Sequence, residues 1–543
     1  MADSDIDVPL YSAMQGVETL RQIPNGQNAD AVAIRIPNET TNTELTYSQL
    51  ADLIDQLAQQ LVPEIQGDDN KDDCHVAHVA AIAMPNNVEF VVSFLAVTWT
   101  RSVAAPLNPN YTESEYHFYM QDNQSKVLLV PATGNPAAEA AATQLGIPIL
   151  VVHWTANHKE TIRLETKCAP SSLSVNPEKK QKYTFAPQPS DVALFLHTSG
   201  TTAKPKGVPL RHSNLVASIN NIATCYQLTH QDAVLLVMPL FHVHGLMSAL
   251  LSTLATGGCV IVPNQVKFSA QKFWFNAVQG HATWVTCVPT MYQVLLLRYD
   301  TDYPKETPPN FRFVRSCSAA LAPAVLQDVE VKFGAPCVEA YAMTEASHQM
   351  CSNPIHGPRK PGTVGKGTGV QVAILDVNNQ VVKEPDTEGE VCIRGKNVTT
   401  GYLGVSDQVN QEAFAGGWFH TGDQGKLDKD GYLTLTGRIK ELINRGGEKI
   451  SPLEVDAAML SHNAVAEAVS FAIPDEKYGE VVGAALVLKE GESLNKQELQ
   501  QFLTDKLSSF KIPTKVFFDD KLPKTATGKI QRRIVASHFL SDK

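Results

Sequence analysis

The sequence lacks any paired arrangement of cysteines and any surplus of positive charge. Its nine cysteines are an odd number, contain no Cys-x-x-Cys pair and follow no regular spacing, so free thiols in a reducing compartment are expected rather than a disulfide framework. Lys and Arg number 45 against 56 Asp and Glu, which gives a formal net charge of -11. This charge argues against a general nucleic-acid binder, whose affinity comes mainly from basic residues that neutralise phosphates.

Targeting signals and a membrane-spanning run are also missing. The segment Met1 to Leu10 has three aspartates and no basic stretch followed by an apolar one, and Ser541 to Lys543 is not the Ser-Lys-Leu peroxisomal address. The most apolar region, Val234 to Val262, is interrupted by Pro239 and by glycines, which indicates strand, loop, helix and strand rather than one spanning helix. We therefore expect a cytoplasmic protein without a membrane span.

The length and composition are those of a globular protein with more than one domain. At 543 residues the chain exceeds the size at which a single core keeps growing, and 43% hydrophobic with 19% charged residues is typical of a packed enzyme. We expect at least two domains, and enough core for a monomer.

Short apolar runs alternate with amphipathic stretches of helical length through most of the chain. The predicted strands are Val76 to Met84, Val127 to Val130, Ile149 to Val152, Ala193 to Leu196, Val234 to Val237 and Val260 to Val262, and the predicted helices include Val88 to Trp99 and Gln271 to Gln279. This alternation is typical of an α/β fold with largely parallel sheets.

The pattern changes near residue 365 and again near residue 437. Short strands with close turn signals predict a β-rich subdomain: Val370 to Leu375, Gly389 to Arg394 and Tyr432 to Thr436, with a hairpin turn at Asp430-Gly431. Residues 438 to 543 hold 16 Lys or Arg and 15 Asp or Glu, a balance unlike the acidic chain before them. This shift predicts a domain boundary near 437.

The segment from Thr198 to Gly207 is rich in glycine, hydroxyl residues and lysine, and it follows an apolar strand. Glycines let backbone N–H groups approach a polyphosphate, hydroxyls add donors and lysine adds charge, as in anion-binding loops. Gly200 and Gly207 do not have the GxxxxGK[ST] spacing of the common NTPases. We interpret the segment as a phosphate-binding loop of another kind, with a flexible surface linker as the alternative on this segment alone.

Six motifs follow one another along nearly the whole chain. They are Thr198 to Gly207, Leu240 to His242, Tyr341 to Glu345, Gly417 to Asp423, Gly437 to Glu441 and Pro523 to Lys529. On these motifs the chain resembles the superfamily of adenylate-forming enzymes, which includes acyl-CoA synthetases, adenylation domains of peptide synthetases and firefly luciferases. The resemblance implies that ATP activates a carboxylic acid as an acyl-adenylate, and that the acyl group then passes to a thiol. The expected thiol is that of coenzyme A.

The resemblance implies the contacts to phosphate and Mg²⁺. Adenylation is an in-line attack by a carboxylate on the α-phosphate, so catalysis depends on positioning and charge stabilisation. Thr344 would contact the α-phosphate, Glu345 would bind Mg²⁺ as a hard oxygen ligand, and Lys529 would stabilise charge between the carboxylate and the α-phosphate. His242 joins this catalytic group. The loop residues implied to hold the leaving phosphates are Thr198, Ser199, Gly200, Thr201, Thr202, Lys204 and Lys206.

The resemblance also implies where the nucleoside lies. The residues around the adenine would be Ala319, Ala320, Glu339, Ala340 and Tyr341, with the tyrosine ring stacked on the base. Asp423, in a turn after Gly422, would present an exposed carboxylate to the ribose hydroxyls, and Arg438 would add a ribose or phosphate contact.

A hinge and a mobile C-terminal domain are implied as well. Residues 1–437 would form the large N-terminal domain with the β-rich subdomain at about 365–437, residues 438–441 the hinge around Lys440, and residues 442–543 a small mobile α+β domain. That domain would rotate after adenylation, withdraw Lys529 and present another face to the thiol. The coenzyme A contacts implied on this face are Arg445, Gly446 and Gly447.

The choice of acid rests on a narrower resemblance. Several phrases resemble the oxalate-CoA ligases of plants and fungi: His197 to Lys206, Pro239 to Gly245, Arg315 to Ala319, Glu339 to His348 and Asn444 to Pro452. The acid site is expected around His242, Ser318 and His348, which would be costly to bury unpaired against an alkyl chain but could pair with a second carboxylate. Oxalate is therefore the expected acid. For any one histidine taken alone, the preferred interpretation is a core or neighbouring group whose hydrogen bonds are satisfied within the protein.

Three other functions stay open on the sequence. The chain could be a CoA ligase for malonate, a medium-chain acid or an aromatic acid. It could be a luciferase-like oxidoreductase, against which the polar acid site argues. RNA binding has the basic run Lys529 to Arg533 as its one support in the sequence.

Overall fold

The computed structural model describes residues 14–66, 78–155, 161–168, 186–198, 205–265, 267–525 and 528–540. Five residues predicted to hold phosphate lie outside the described residues: Ser199, Gly200, Thr201, Thr202 and Lys204. Val76, the predicted start of a strand, also lies outside them. Thr198 and Lys206, on either side of the phosphate loop, are described.

The strands of the described residues are, in chain order, β1 (Val32–Ile36), β2 (Thr43–Thr46), β3 (Val79–Ile82), β4 (Val103–Pro106), β5 (Val127–Pro131), β6 (Ile149–Thr155), β7 (Thr161–Cys168), β8 (Val192–Thr198), β9 (Lys206–Arg211), β10 (Ala233–Leu235), β11 (Cys259–Ile261), β12 (Trp284–Cys287), β13 (Phe313–Cys317), β14 (Cys337–Met343), β15 (His348–Ser352), β16 (Lys366–Gly367), β17 (Gln371–Leu375), β18 (Gly389–Arg394), β19 (Phe419–Leu427), β20 (Leu433–Arg438), β21 (Ile443–Arg445), β22 (Glu448–Ile450), β23 (Val465–Asp475), β24 (Gly479–Leu488) and β25 (Lys515–Phe518).

The α-helices of the same residues are α1 (Gln22–Asn25), α2 (Tyr47–Gln66), α3 (Val88–Trp99), α4 (Glu113–Asp122), α5 (Pro136–Leu145), α6 (His212–Tyr226), α7 (Ser252–Ala255), α8 (Ala270–Gln279), α9 (Pro289–Leu297), α10 (Tyr299–Asp302), α11 (Pro323–Phe333), α12 (Asp407–Ala413), α13 (Pro452–Leu460), α14 (Lys496–Thr504) and α15 (Arg532–Leu540). A π-helical segment, His244–Leu251, runs directly into α7. Short 3-10 turns occupy Thr344–Ala346, Ala415–Gly417, Ile439–Glu441 and Ser509–Lys511.

Two large sheets form the body of the molecule. One has the strand order β7-β6-β5-β3-β4-β8-β9, and the other has the order β16-β15-β14-β13-β12-β10-β11-β1-β2. The strands at the centre of each sheet are parallel, and antiparallel strands lie at the edges. Parallel strands with helices on both faces are buried, which is why β12 and β13 are buried at every position. The predicted α/β class is confirmed.

The predicted elements of the N-terminal part mostly form where the apolar periodicity placed them. Helix α3 matches its predicted range, and the side chain of Asn87 caps it by accepting from the backbone N–H of Phe90. The region Val234 to Val262 folds as strand, loop, helix and strand, as predicted. None of the helices in the described part of the chain combines the length and the hydropathy that a membrane crossing requires.

A four-stranded antiparallel sheet follows, with the order β17-β18-β19-β20. Strand β18 matches its prediction, and Asp430-Gly431 lies in the turn between β19 and β20. Strand β19 was not predicted, so the expectation that Asp423 lies in a turn is wrong: it lies within β19 and pairs with Arg438 of β20. Every second residue of β19 is buried, but these buried positions include Thr421, Asp423 and Gly425. Because these residues are not hydrophobic, the sequence shows no alternation of apolar and polar residues there.

The C-terminal part has its own sheet and core. Strands β22, β21, β24 and β23 pair antiparallel in that order, and β25 adds parallel to β24. Buried side chains from α13, α14 and this sheet, such as Val455, Leu499 and Val482, form a separate hydrophobic cluster. The predicted boundary near 437 and the hinge at 438–441 stay predictions.

Candidate functional site

A cavity of about 960 Å³ gathers many of the predicted site residues. Its lining includes Ser318, which directly follows β13, residues at the end of β14, and residues 241–243, which lie between β10 and the π-helical segment. All three strands belong to the nine-stranded sheet. Ligands of open α/β sheets bind at these carboxyl ends of parallel strands. The predicted residues that line it are Thr198, Lys206, His242, Ser318, Thr344, Glu345, His348, Arg438, Lys440 and Lys529.

Glu345, the predicted Mg²⁺ ligand, lines the cavity and is oriented by a tyrosine. Its Oε1 accepts a hydrogen bond of 2.8 Å from the hydroxyl of Tyr402, whose ring centre lies 4.5 Å from the amine of Lys206. Burial raises the pKa of Glu345, and the Tyr402 hydrogen bond opposes that shift. Mg²⁺ is usually held by one or two carboxylates together with substrate phosphates, so an oriented carboxylate in the cavity wall fits this ion. Thr344, the residue before it, starts the 3-10 turn at the end of β14.

Two neighbouring side chains form hydrogen bonds with Asp423, the carboxylate predicted to bind the ribose. Tyr341 donates its hydroxyl hydrogen bond to Oδ2 of Asp423, and Arg438 donates from Nε to Oδ1 at 2.9 Å. Asp423 is 6% exposed, so the prediction of an exposed carboxylate is wrong. The tyrosine is fixed through its hydroxyl, and its stacking on the adenine stays a prediction.

Glu339 supports a neighbouring loop. Its Oε1 accepts from the backbone N–H of Leu321 at 2.9 Å, and its Oε2 has no hydrogen-bond partner within the described residues. Burial raises the pKa of Glu339 to about 8, so the carboxyl is protonated at neutral pH. The loop that it holds starts with Ala319 and Ala320, which are exposed. Glu339 therefore supports the predicted adenine segment from behind, and Ala340 is buried beside it in β14.

The three residues predicted to bind the acid come from three strand ends. His242 follows β10, Ser318 follows β13 and His348 starts β15, and all three line the cavity. Ser318 and His348 have φ angles of +76° and +102°. Backbone in this region costs a non-glycine residue about 1–3 kcal/mol and is concentrated at functional sites, where surrounding contacts enforce it.

His242 is an uncharged hydrogen-bonding group. Its Nδ1 accepts from the backbone N–H of His244 at 3.1 Å, so the neutral ring carries its proton on Nε2. Burial lowers the pKa of His242 to about 3, and the charge of Lys529 adds to the shift. At neutral pH His242 can orient a substrate by donating a hydrogen bond, but it is too weakly basic to take a proton.

A buried arginine outside the predicted site residues contacts His348, one of the residues predicted to bind the acid. Arg315 is 0% exposed, and no carboxylate of the described chain pairs with it. Its acceptors are the Tyr226 hydroxyl at 2.8 Å, Thr286 Oγ1 at 3.0 Å, His244 Nε2 at 3.3 Å, His348 Nε2 at 3.0 Å and Gln349 Oε1 at 3.1 Å. The available signal was a charged residue directly after Phe313-Val314 in an apolar strand, where a charge is rarely buried without a purpose.

Lys529 reaches the same cavity from the C-terminal part. The preceding residue, Gly528, accepts a hydrogen bond of 2.9 Å on its carbonyl from the hydroxyl of Thr290, at the start of α9. The backbone N–H of Lys529 donates to Thr525 Oγ1 at 3.1 Å. Burial lowers the pKa of the Lys529 amine below its ordinary value. Thr290 and Tyr402 are two contacts that the motifs did not reveal, because each acts through a residue distant in sequence.

The residues predicted to bind coenzyme A lie away from the cavity lining. Gly446 and Gly447 form the turn between β21 and β22 with φ angles of +61° and +95°. Arg445 donates to the carbonyl of Phe510, and its guanidinium lies 5.0 Å from the ring centre of Tyr478. Arg445, Gly446 and Gly447 are not part of the cavity wall that contains Lys529, and their role stays a prediction.

The cavity therefore combines two chemical environments. Lys206, Arg438, Lys440 and Lys529 supply positive charge beside Glu345, a combination that suits a polyphosphate and a divalent cation. Ser318 and the histidines offer neutral polar groups that suit a small, highly polar substrate.

Comparison with known proteins gives matches along the whole fold. Residues 21–403 match the family described as AMP-binding enzyme, and residues 454–529 match the AMP-binding enzyme C-terminal domain. An oxalate-CoA ligase of Arabidopsis thaliana is 49% identical over 499 residues, which cover 91% of this chain and 94% of that protein. An oxalate-CoA ligase of Saccharomyces cerevisiae is 47% identical over 536 residues, which cover 94% of this chain and 95% of that protein. The crystal structure of ATP-bound MatB from Rhodopseudomonas palustris has a TM-score of 0.83 at 27% identity and covers 96% of this chain and 99% of that chain.

Proposed function

The chain belongs to the family of AMP-binding enzymes, and from that membership we propose that it is an acid-thiol ligase that converts oxalate, ATP and coenzyme A into oxalyl-CoA, AMP and pyrophosphate. The observation that carries the choice of oxalate is the acid end of the cavity, where Ser318 and His348 present polar atoms held by a buried arginine. The two relatives at 49% and 47% identity, both named oxalate-CoA ligases, support the same substrate.

The first half-reaction joins one oxalate carboxylate to the α-phosphate of ATP and breaks the bond to the β-phosphate. We propose that Thr198 and Lys206 hold the leaving phosphates and that Thr344 contacts the α-phosphate. Glu345 would hold Mg²⁺, which when bound neutralises phosphate charge. Lys529 places its ammonium between the carboxylate and the α-phosphate, where negative charge accumulates in the transition state. Its position in the cavity wall supports this role.

The second half-reaction transfers the oxalyl group. The sulfur of coenzyme A attacks the acyl carbonyl, the bond between that carbon and AMP breaks, and the thiol proton is released. We propose that residues 438–441 act as the hinge that removes Lys529 and brings Arg445, Gly446 and Gly447 towards the pantetheine arm. These three residues are not among those that line the cavity, which supports a rotation between the two half-reactions.

A long acyl chain would suit this cavity poorly. An alkyl group placed against Ser318 and His348 would bury their donors without partners, at a cost of about 1–3 kcal/mol for each group. A second carboxylate instead accepts from them. This difference selects a small dicarboxylate over a fatty acid.

The reaction is tested by CoA-dependent release of AMP from ATP, with oxalate set beside malonate, acetate, octanoate and a cinnamate. Selective turnover of oxalate, by about 100-fold in kcat/KM as expected for one or two charge-assisted hydrogen bonds, is the predicted result. Removal of Mg²⁺ by a chelator should abolish release with every acid. Preferred turnover of octanoate or a cinnamate would retain the reaction type and discard oxalate as the substrate.

We also propose that the enzyme works in the cytoplasm. The eight cysteines within the described residues are all free, which suits a reducing compartment. Immunodetection in cytosolic and organelle fractions tests this location, and enrichment in an organelle fraction would contradict it.

A further inference from the structure

A fully buried guanidinium connects two histidines of the acid end. The Nη2 atom of Arg315 lies 3.0 Å from Nε2 of His348, and its Nη1 atom lies 3.3 Å from Nε2 of His244. A guanidinium has only donors, so both Nε2 atoms must accept. Since a neutral imidazole has one donor and one acceptor nitrogen, both rings then carry their proton on Nδ1.

Within the described part of the chain, His348 is thereby left with an unpaired donor, its Nδ1–H. Its Nδ1 is buried and has no hydrogen-bond partner among the described residues, although the residue lines the cavity. Burial, and then the charge of Arg315, lowers the pKa of His348 well below its ordinary value, so the ring stays neutral. A buried donor without a partner costs free energy until a ligand pairs with it.

His244 orients the hydroxyl of Ser318. Thr286 Oγ1 accepts from Arg315 Nη1 at 3.0 Å and lies 2.6 Å from His244 Nε2. With the His244 proton on Nδ1, the Thr286 hydroxyl donates to that nitrogen. His244 Nδ1–H then donates to Ser318 Oγ, 3.1 Å away. With its oxygen accepting from His244, the Ser318 hydroxyl has its proton free to donate to a ligand in the cavity.

We propose that Arg315 is a positioning residue for the acid, which fixes the Nδ1–H tautomers of His244 and His348 so that the His348 ring and the Ser318 hydroxyl both donate to the distal carboxylate of oxalate. This inference rests on the proposed function and adds to it the residue that determines specificity. The buried positive charge also attracts the second negative charge of the substrate, while its own donors stay occupied.

His348 and Ser318 then direct two donors at the distal group of the acid, which defines what the site rejects. Glyoxylate keeps the size of oxalate but replaces the distal carboxylate with a neutral aldehyde. Oxamate replaces it with an amide, whose NH₂ group would face another donor. We expect kcat/KM to fall from oxalate to glyoxylate to oxamate.

Paired substitutions at His348 separate the tautomer from packing. In His348→Asn the amide nitrogen takes the place of Nδ1 and can still donate to the substrate, whereas in His348→Gln the amide lies at the place of Nε2, against Arg315. We expect the oxalate KM to rise about 10- to 100-fold in His348→Gln, the range of one charge-assisted hydrogen bond, and less than about 5-fold in His348→Asn. The KM for ATP should stay within about 3-fold in both. Equal losses in the two variants would overturn the proposal.

Arg315→Lys keeps the charge but cannot reach both histidines, so it should lose the preference for oxalate over glyoxylate. Tyr226→Phe is the matched control, because it removes one acceptor of Arg315 and leaves both histidine contacts in place. It should lower thermal stability and leave the ratio of oxalate to glyoxylate kcat/KM within about 3-fold. Loss of that ratio in Tyr226→Phe would show that general disruption, and not the tautomer, sets the preference.

A direct measurement on the unsubstituted protein does not depend on variants that fold. The two ring nitrogens of a neutral imidazole have well separated ¹⁵N chemical shifts, so histidine-labelled protein reports each tautomer, with His244 and His348 assigned by substitution. Nδ1–H in both supports the proposal, and Nε2–H in either overturns it. If the protein uses another acid but both histidines carry their proton on Nδ1, the proposed substrate is wrong, and the role of Arg315 in fixing the two tautomers is supported.

Discussion

The acid end of the cavity and the segment that carries Lys529 are held in place in different ways. Ser318 and His348 adjoin strands of the nine-stranded sheet and are fixed by buried side chains, with Arg315 at their centre. Lys529 comes from the separate C-terminal part, and the contact beside it is the hydrogen bond from Thr290 to the carbonyl of Gly528. A rigid sheet suits the proposed choice of acid, and a segment from a separate part of the fold suits the proposed withdrawal of Lys529 after adenylation. Changes in the first region should alter which acid reacts, and changes in the second should alter how fast it is adenylated.

The largest effect is expected from Lys529→Ala. Removing a charge aimed at the developing negative charge should slow adenylation by about 10²- to 10³-fold. Transfer to coenzyme A from a supplied acyl-adenylate should stay within a few-fold of the unsubstituted enzyme. Single-turnover assays of each half-reaction measure both quantities, and equal losses would contradict the division between them.

Ser318 tests the other side of the comparison. Ser318→Gly removes the hydroxyl while relieving the positive φ, and Ser318→Ala removes it while keeping Cβ. Both should raise the oxalate KM about 10- to 100-fold without changing the KM for ATP, and only the alanine should also lower the melting temperature. An unchanged oxalate KM in the glycine variant would exclude Ser318 from the acid site.

The pH dependence of adenylation sharpens the role of the lysine. Burial lowers the pKa of Lys529, so the charged amine is lost as pH rises through a value below 10.5, and the rate should fall about tenfold per pH unit above it. Lys529→Arg, which stays charged, should be slower at neutral pH but should lack this alkaline loss. The same alkaline limb in both proteins would assign the titration to another group.

A smaller effect is expected where the two regions meet. Thr290→Val keeps the shape of the side chain but cannot donate to the Gly528 carbonyl. The loss of one neutral hydrogen bond should reduce the adenylation rate about 2- to 10-fold. The preference among acids should not change, and kinetics with oxalate and glyoxylate would detect it if it did.

The sequence predicted the elements whose pattern is local. Apolar runs and turn residues were enough for some of the parallel strands, such as β3, β5 and β6, and for helix α3, whereas β4, β12, β13 and β14 were not predicted. Strands β3, β5 and β6 are predictable because a parallel strand that is buried on both faces consists mostly of consecutive apolar residues. The motif order was enough to bring Lys206, Thr344 and Lys529 to one site.

Contacts between distant segments could not be predicted in the same way. The alternation that makes Asp423 part of β19 is carried by threonine, aspartate and glycine, so hydrophobicity does not reveal it. Arg315 could be assigned no role from its neighbours in sequence, because its acceptors come from helices and strands up to 89 positions away. Glu339 was expected beside the adenine, but its carboxyl supports the loop at Leu321 from behind.

The most direct test of the account is the ratio of kcat/KM for oxalate to that for glyoxylate in the unsubstituted enzyme, Lys529→Ala and Ser318→Gly. We expect a high ratio in the unsubstituted enzyme and a ratio within about 3-fold of it in the slow Lys529→Ala variant. In Ser318→Gly we expect the ratio to be at least about 10-fold lower. A ratio that collapses in Lys529→Ala, or that survives in Ser318→Gly, would contradict the separation of acid choice from catalysis.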